Sequence, residues 1–236
     1  MDKLLALEHI VTLAVIAVLI AALVVAARRR PGGWKVPAAR VLAIVILADE
    51  AGWWVWLAFQ HTWSLSYALP LHLCDVAALV SAAALWTRRP LLVELTYFWG
   101  LAGTSNSLIT PDLADHFPGY LFLQYYIAHG GIVAAALFLV IGLQITPRGG
   151  AVTRVVALTL GLAALDSVVN LATGGNYMFL RHPPGSHSLL DLMGPWPWYV
   201  VVAAGLALAL FLALDLPFSI GRRLSNSGAG RPATNR

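Results

Sequence analysis

The chain has 236 residues, 59% of them hydrophobic and only 11% charged, with a mean hydropathy of +0.77. A soluble domain carries about 25% charged residues, so the composition excludes a soluble enzyme or binding module and points to an integral membrane protein. The net charge of +4 comes from short arginine blocks between apolar runs rather than from one basic face, which excludes a nucleic-acid partner.

A membrane-crossing helix needs about 20 mainly apolar residues. Seven segments qualify, at roughly 7–27, 38–60, 68–86, 91–110, 119–145, 152–173 and 195–217. The first is too long for a cleavable h-region and ends in Arg28, Arg29 and Arg30, as a retained span does. The second carries Asp49 and Glu50 near its centre. The third opens on Leu69-Pro-Leu-His-Leu-Cys-Asp75, which places the single cysteine, Cys74, beside His72 and Asp75. The fourth ends in Thr104, Ser105, Asn106, Ser107 and Thr110. The fifth holds Gln124, Tyr125, Tyr126 and His129, then Gly130 and Gly131, which let another helix or a ligand approach closely. The sixth shows a polar stripe at helical spacing, Thr159, Asp166, Asn170 and Thr173. A loop with Asn176, Tyr177, Arg181, His182, His187 and Asp191 leads to the last span. Arg-Pro-Gly-Gly, Arg-Arg-Pro, Thr-Pro-Arg-Gly-Gly and Pro-Pro-Gly fall in the breaks, and all are helix stops. The expected fold is all-α: one seven-span helix bundle over residues 1–224 and a disordered cytoplasmic tail over 225–236.

The loops alternate in charge. Arg28–Arg30, Lys35 and Arg40 fall in the first, Arg88 and Arg89 in the third, Arg148 and Arg154 in the fifth, and Arg222 and Arg223 in the tail. The second and fourth have no Lys or Arg; the fourth carries Asp112 and Asp115 instead, and the sixth has only Arg181. The positive-inside rule then places the N-terminus outside and the C-terminus in the cytoplasm. On this topology the polar residues of spans three to six fall in the outer half, under a cap formed by the 174–198 loop. His129, His72, Asp166 and Asn170 are expected to line one pocket there.

Ionisable side chains inside a membrane are costly and mark a site by default. Cys74 lies roughly 8–10 Å into span three and His129 about 15 Å into span five, a mismatch of about 5 Å that helix tilt can absorb. His72 and Asp75 share a helical face, whereas His72 and Cys74 point apart on a regular helix, so His72 is a poor direct base for the thiol. Bland readings stand beside these. A lone membrane cysteine is commonly a small hydrophobe, and a lone histidine or an Asp/Asn stripe commonly bonds helices together. No HxxxH, HExxH or CxxC spacing occurs, so no metal and no cofactor are expected.

Several strings run in order along most of the chain: Leu69-Pro-Leu-His-Leu-Cys-Asp75, Glu94-Leu-Thr-Tyr-Phe-Trp-Gly-Leu-Ala-Gly103, Leu108-Ile-Thr-Pro-Asp112, Tyr126-Ile-Ala-His-Gly130, Asn176-Tyr-Met-Phe-Leu180 and Ser188-Leu-Leu-Asp-Leu-Met-Gly-Pro-Trp-Pro-Trp-Tyr199. With them the sequence resembles the YwaF-like family of bacterial integral membrane proteins. That family is similar to a eukaryotic transmembrane acyltransferase that remodels phospholipids through an acyl-cysteine. The resemblance implies Cys74 as the acyl carrier and His129 as the histidine of the span-five string.

The resulting expectation is a plasma-membrane lipid acyltransferase whose partners are membrane lipids. Cys74 attacks an acyl ester and His129 moves protons. His72, Asp75 and Asp166 support or orient, Asn170 and Asn176 donate to the oxyanion, and Arg181 with His182 holds a phosphate headgroup. The rival expectations are a non-catalytic lipid- or partner-binding sensor or assembly factor, and a small-solute transporter. The transporter would need polar residues in the cytoplasmic halves too, to complete a pathway; few are there, and the sequence shows no inverted repeat.

Overall fold

A computed structural model describes residues 7–229 apart from 112, 114, 186 and 187, so Asp112 and His187 lie outside the described residues. Every described element is helical. In chain order they are α1 (Leu7–Arg29), α2 (Lys35–Phe59), α3 (Leu73–Thr87), α4 (Pro90–Phe98), a wider π turn (Trp99–Thr104), α5 (Ser105–Ile109), α6 (Tyr120–Leu137) with a π extension (Phe138–Gly142), α7 (Ala151–Thr173) and α8 (Trp198–Ala229). Two 3-10 turns, Tyr177–Phe179 and Leu189–Met193, lie between α7 and α8.

Among the described residues, five helices are long and apolar enough to cross a membrane: α1, α2, α6 with its extension, α7 and α8. The remaining two expected segments are helical in another way. α3 has 15 residues, roughly 22 Å at 1.5 Å per residue, short of a hydrocarbon core of about 30 Å. It begins at Leu73 rather than near 68. Pro70 biases Leu69 away from helical geometry, and the Leu69 N–H is taken by the Tyr177 hydroxyl at 3.0 Å. The segment 90–109 is continuous but divided by its π turn. At the other end, α8 runs to Ala229, well beyond the limit expected near 217.

The bundle has a centre and a rim. Of the most apolar window, 72% is buried in α6 but only 11% in α1 and in α8. α3 packs on α2, α4 and α6, while α1 leans on α6 and α7 on α4 and α8. The rim presents Val18, Leu19, Val168, Leu171 and Val201 outward, as lipid-facing helices do.

Small residues permit this packing. A Cβ on Gly131 would meet Ile46 of α2 at 2.9 Å, and one on Gly130 would meet Ile16 of α1 at 3.2 Å. The glycine pair after His129 therefore seats two helices against α6. A Cβ on Gly100 would press on Ala136 at 3.2 Å, bringing the π turn close to α6.

Glu94 is the other fixed point. Its carboxylate is 1% exposed and accepts from Arg148 Nε at 2.8 Å, Arg148 Nη2 at 3.2 Å and the Arg148 backbone N–H at 3.1 Å. It also accepts from Arg154 Nε at 3.0 Å and Nη2 at 2.8 Å. These two arginines tie α4, the 143–150 connection and the start of α7 into one knot.

Candidate functional site

Cys74 sits in the first turn of α3, because the helix starts one residue before it. First-turn N–H groups have no intrahelical acceptor, so the backbone around Cys74 offers donors to a developing oxyanion. The Cys74 thiol touches the Ser107 hydroxyl at 3.9 Å, with Thr104 also beside it. Both hydroxyls come from the π turn and α5. A π turn shifts the register of the residues after it, and such turns recur at functional sites.

His129 lies on α6. Its Nδ1 is 2.7 Å from the Tyr125 carbonyl oxygen. A carbonyl only accepts, so Nδ1 carries the proton and Nε2 keeps its lone pair, the tautomer a base requires. The Tyr125 ring stacks on the imidazole at 4.2 Å, and the Tyr125 hydroxyl donates to the Ser107 carbonyl at 2.7 Å. Cys74 and His129 are not hydrogen-bonded to each other. Ser107 and Tyr125 link them, Ser107 against the thiol and Tyr125 against the ring.

Three carboxylates surround this pair. Asp49, Glu50 and Asp75 all lie within charge–charge reach of His129, and Glu50 is within reach of Cys74 as well. Glu50 is 4% exposed. Gln124 Nε2 donates to Asp49 at 3.2 Å. From the sequence, Asp49 and Glu50 are acids able to pair with an Arg or His across the bundle; the packing of α2 on α6 brings both within charge–charge reach of His129, with no hydrogen bond between them. Among the described residues, no group of three or more His, Cys, Asp and Glu side chains is arranged to hold a metal ion.

The other expected site residues form a second group under the 174–198 loop. The His72 ring lies against Tyr177 at 5.1 Å and Phe179 at 5.7 Å. Asp75 and Asp166 are both within electrostatic reach of the Tyr177 hydroxyl, which connects this group to the first. That hydroxyl donates to the Leu65 carbonyl at 2.8 Å; burial first, then the neighbouring acids, push it above the usual phenol range against the opposing Leu69 N–H. Asp166 is fully buried, and neither of its carboxylate oxygens has a hydrogen-bond partner.

Asn170 is committed to structure. Its Nδ2 donates to the Tyr177 carbonyl at 3.0 Å and its Oδ1 accepts the Tyr177 N–H at 2.7 Å. Asn176 is committed in the same way. Its amide donates to the His182 carbonyl at 2.8 Å, and its oxygen accepts from the Arg181 and His182 N–H groups at 3.0 and 3.3 Å. Arg181 donates to the Gly175 carbonyl at 3.2 Å, at the end of α7. Asn170 and Arg181 line a cavity of about 370 Å³ with Ser167 and Trp196, and His129 is not part of it. Met178 and Phe179 both adopt left-handed backbone angles, φ 54° and 52°. Such angles cost about 1–3 kcal/mol each in a residue other than glycine, and the Asn170 clamp holds them, pressing Phe179 onto His72.

A profile of the TMEM164 family matches residues 4–215, nearly the whole chain. The chain belongs to the TMEM164 family. The strings above resembled YwaF-like proteins; the match establishes membership of this transmembrane family. An uncharacterized protein of Treponema pallidum (strain Nichols) is 31% identical over 153 residues, covering 64% of this chain and 62% of the relative. The chain thus spans less than two thirds of that relative's length. No solved structure matches.

Proposed function

We propose that this TMEM164-family protein is a membrane-embedded acyltransferase that moves a fatty acyl group between phospholipids through a thioester on Cys74. The observation that carries the reading is the convergence on one bundle core of a thiol at a helix start, a histidine with its Nε2 lone pair available, and acids facing that histidine. Cys74 Sγ attacks the ester carbonyl of a donor phospholipid, and its proton passes to His129 Nε2. Backbone N–H groups at the start of α3 and the Ser107 hydroxyl receive the oxyanion. The ester C–O bond breaks, and the departing lysophospholipid oxygen takes the proton from His129. An acceptor hydroxyl then attacks the thioester, His129 takes its proton, and the sulfur recovers it. Catalytic hydrogen bonds are often long before substrate binds, and substrate binding closes the gap between Cys74 and His129 across Ser107 and Tyr125.

The chain crosses the plasma membrane seven times in this reading, with α3 and the α4–α5 segment as the two short crossings. The N-terminus lies outside and the C-terminus in the cytoplasm, following the arginine-rich loops. Acyl chains reach the site from the bilayer, and water is excluded from the thioester. Arg181 and His182, at the rim, meet the phosphate headgroup.

A second reading, lipid binding without turnover, draws on the missing Cys74–His129 hydrogen bond. Purified protein in vesicles of labelled phospholipid and unlabelled lysophospholipid separates the two. Transfer of label, lost in Cys74→Ala and slowed in His129→Gln, supports the enzyme. Lipid bound with no transfer by the wild type favours the second reading.

A further inference from the structure

Resting on the acyl-cysteine reading, we propose that the cavity between α5, α6 and the inner face of α8 is the binding site for the fatty acyl chain that Cys74 accepts. The cavity measures about 280 Å³. Three of its wall residues each back onto a member of the candidate site. Ser107 touches the Cys74 sulfur at 3.9 Å, Tyr125 stacks on His129 at 4.2 Å, and Phe179 lies against His72 at 5.7 Å. The larger cavity, about 670 Å³ and lined by α1, α2 and α6, includes none of those three residues.

The lining changes character along its length. Asn106, Ser107 and Thr110 supply hydroxyl and amide groups at one side. Met193 with Ala203, Leu206, Ala207 and Leu210 of α8 supply an apolar lining, and Ser188 adds one more hydroxyl. Ala203 and Ala207 are four apart and so share a helical face, and their small side chains leave the space open. An ester has a polar carbonyl and an apolar tail, and this cavity offers a wall to each, with the polar one beside the thiol. An enclosed apolar cavity of about 150 Å³ takes a benzene ring, so 280 Å³ holds one chain segment of on the order of ten carbons. A second chain does not fit, which limits the site to one acyl group and leaves the rest of the donor lipid in the bilayer.

Filling the cavity should therefore select against long acyl groups. Ala207→Phe blocks it, and Ala204→Phe, on an exposed position of the same helix, is the control. The full chain in nanodiscs is incubated with the p-nitrophenyl esters of acetate and palmitate, and Cys74 acylation is read by intact mass. Ala207→Phe should lower the ratio of palmitoylation to acetylation roughly tenfold or more, the scale of an overpacking clash, while Ala204→Phe keeps the wild-type ratio. An equal ratio in Ala207→Phe and wild type overturns the cavity assignment and leaves the acyl-cysteine reading standing. If wild type takes neither ester, that reading falls, and a second measurement decides the cavity by itself. A photoactivatable sixteen-carbon fatty acid should cross-link to residues 189–193 and 203–210 in wild type and Cys74→Ser, and lose those links in Ala207→Phe. Links unchanged in Ala207→Phe, or confined to α1 and α2, overturn the proposal.

Discussion

Removing both arginines from Glu94 should destabilise the protein far more than removing either one. The Glu94 side chain is 1% exposed, whereas Arg148 and Arg154 are 51% and 36% exposed. The arginines can rehydrate when their partner is lost, but the carboxylate cannot. Arg148→Ala or Arg154→Ala leaves the other guanidinium in place and should cost about 1–2 kcal/mol, below the ~1.5–3 of a fully buried charged hydrogen bond. The double variant strands a buried carboxylate, which costs about 3–5 kcal/mol. A protein of this size loses about 2–4 °C per kcal/mol, so the double variant should melt roughly 6–20 °C lower. Adding Glu94→Leu to it should recover much of that loss, because an apolar replacement removes the stranded charge. Scanning tryptophan fluorescence in nanodiscs gives the midpoints, the chain having nine tryptophans. The opposite outcome is a double variant that melts no lower than the worse of the two singles, or one whose midpoint falls further on adding Glu94→Leu.

Asn170→Ala cuts both bonds to the Tyr177 backbone and should cost about 1–3 kcal/mol, felt locally. Limited proteolysis should show faster cleavage within 174–198 while the α6 amides keep their hydrogen-exchange protection. Asp166→Leu removes two unpartnered buried oxygens and should raise the melting midpoint by the equivalent of about 1–3 kcal/mol. Loss of Cys74 acylation in that variant would give Asp166 a chemical role instead. Single cysteines introduced at 88–90 and 111–118 in a Cys74→Ser background test the topology. An impermeant reagent on intact cells should label the second set and not the first.

Hydropathy alone located the helices, since each of the seven apolar segments is helical and the breaks fall at the Pro/Gly stops. The start of α3 was not legible. The Leu69 N–H meets the Tyr177 hydroxyl, 108 positions away, and α3 begins only at Leu73. Cys74 therefore sits at a helix start, with backbone donors that a mid-helix position would lack. Composition marked Asp49, Glu50, Asp75 and His129 as buried polar groups, but only the packing of α2, α3 and α6 shows that they face one another. Helical spacing linked Asp166 and Asn170 correctly to one stripe. It could not show that Asn170 clasps a loop while Asp166 stays unpartnered. Asn176 read as a free donor in the sequence, yet its amide is spent on the loop that carries it, whereas Arg181 gives the backbone only its Nη1. Glu94 lay inside a family string, and its hold on two arginines needed the chain to return from 54 and 60 residues away.

Acylation of Cys74 is the step on which the proposed function stands. Wild type and Cys74→Ala are incubated with a phospholipid bearing an isotope-labelled acyl chain, then analysed by intact mass before and after hydroxylamine. Wild type alone should gain a mass equal to one acyl group, mapped to Cys74 and removed by hydroxylamine. An adduct of the same size on Cys74→Ala, or labelled acyl transfer by that variant at the wild-type rate, would contradict it.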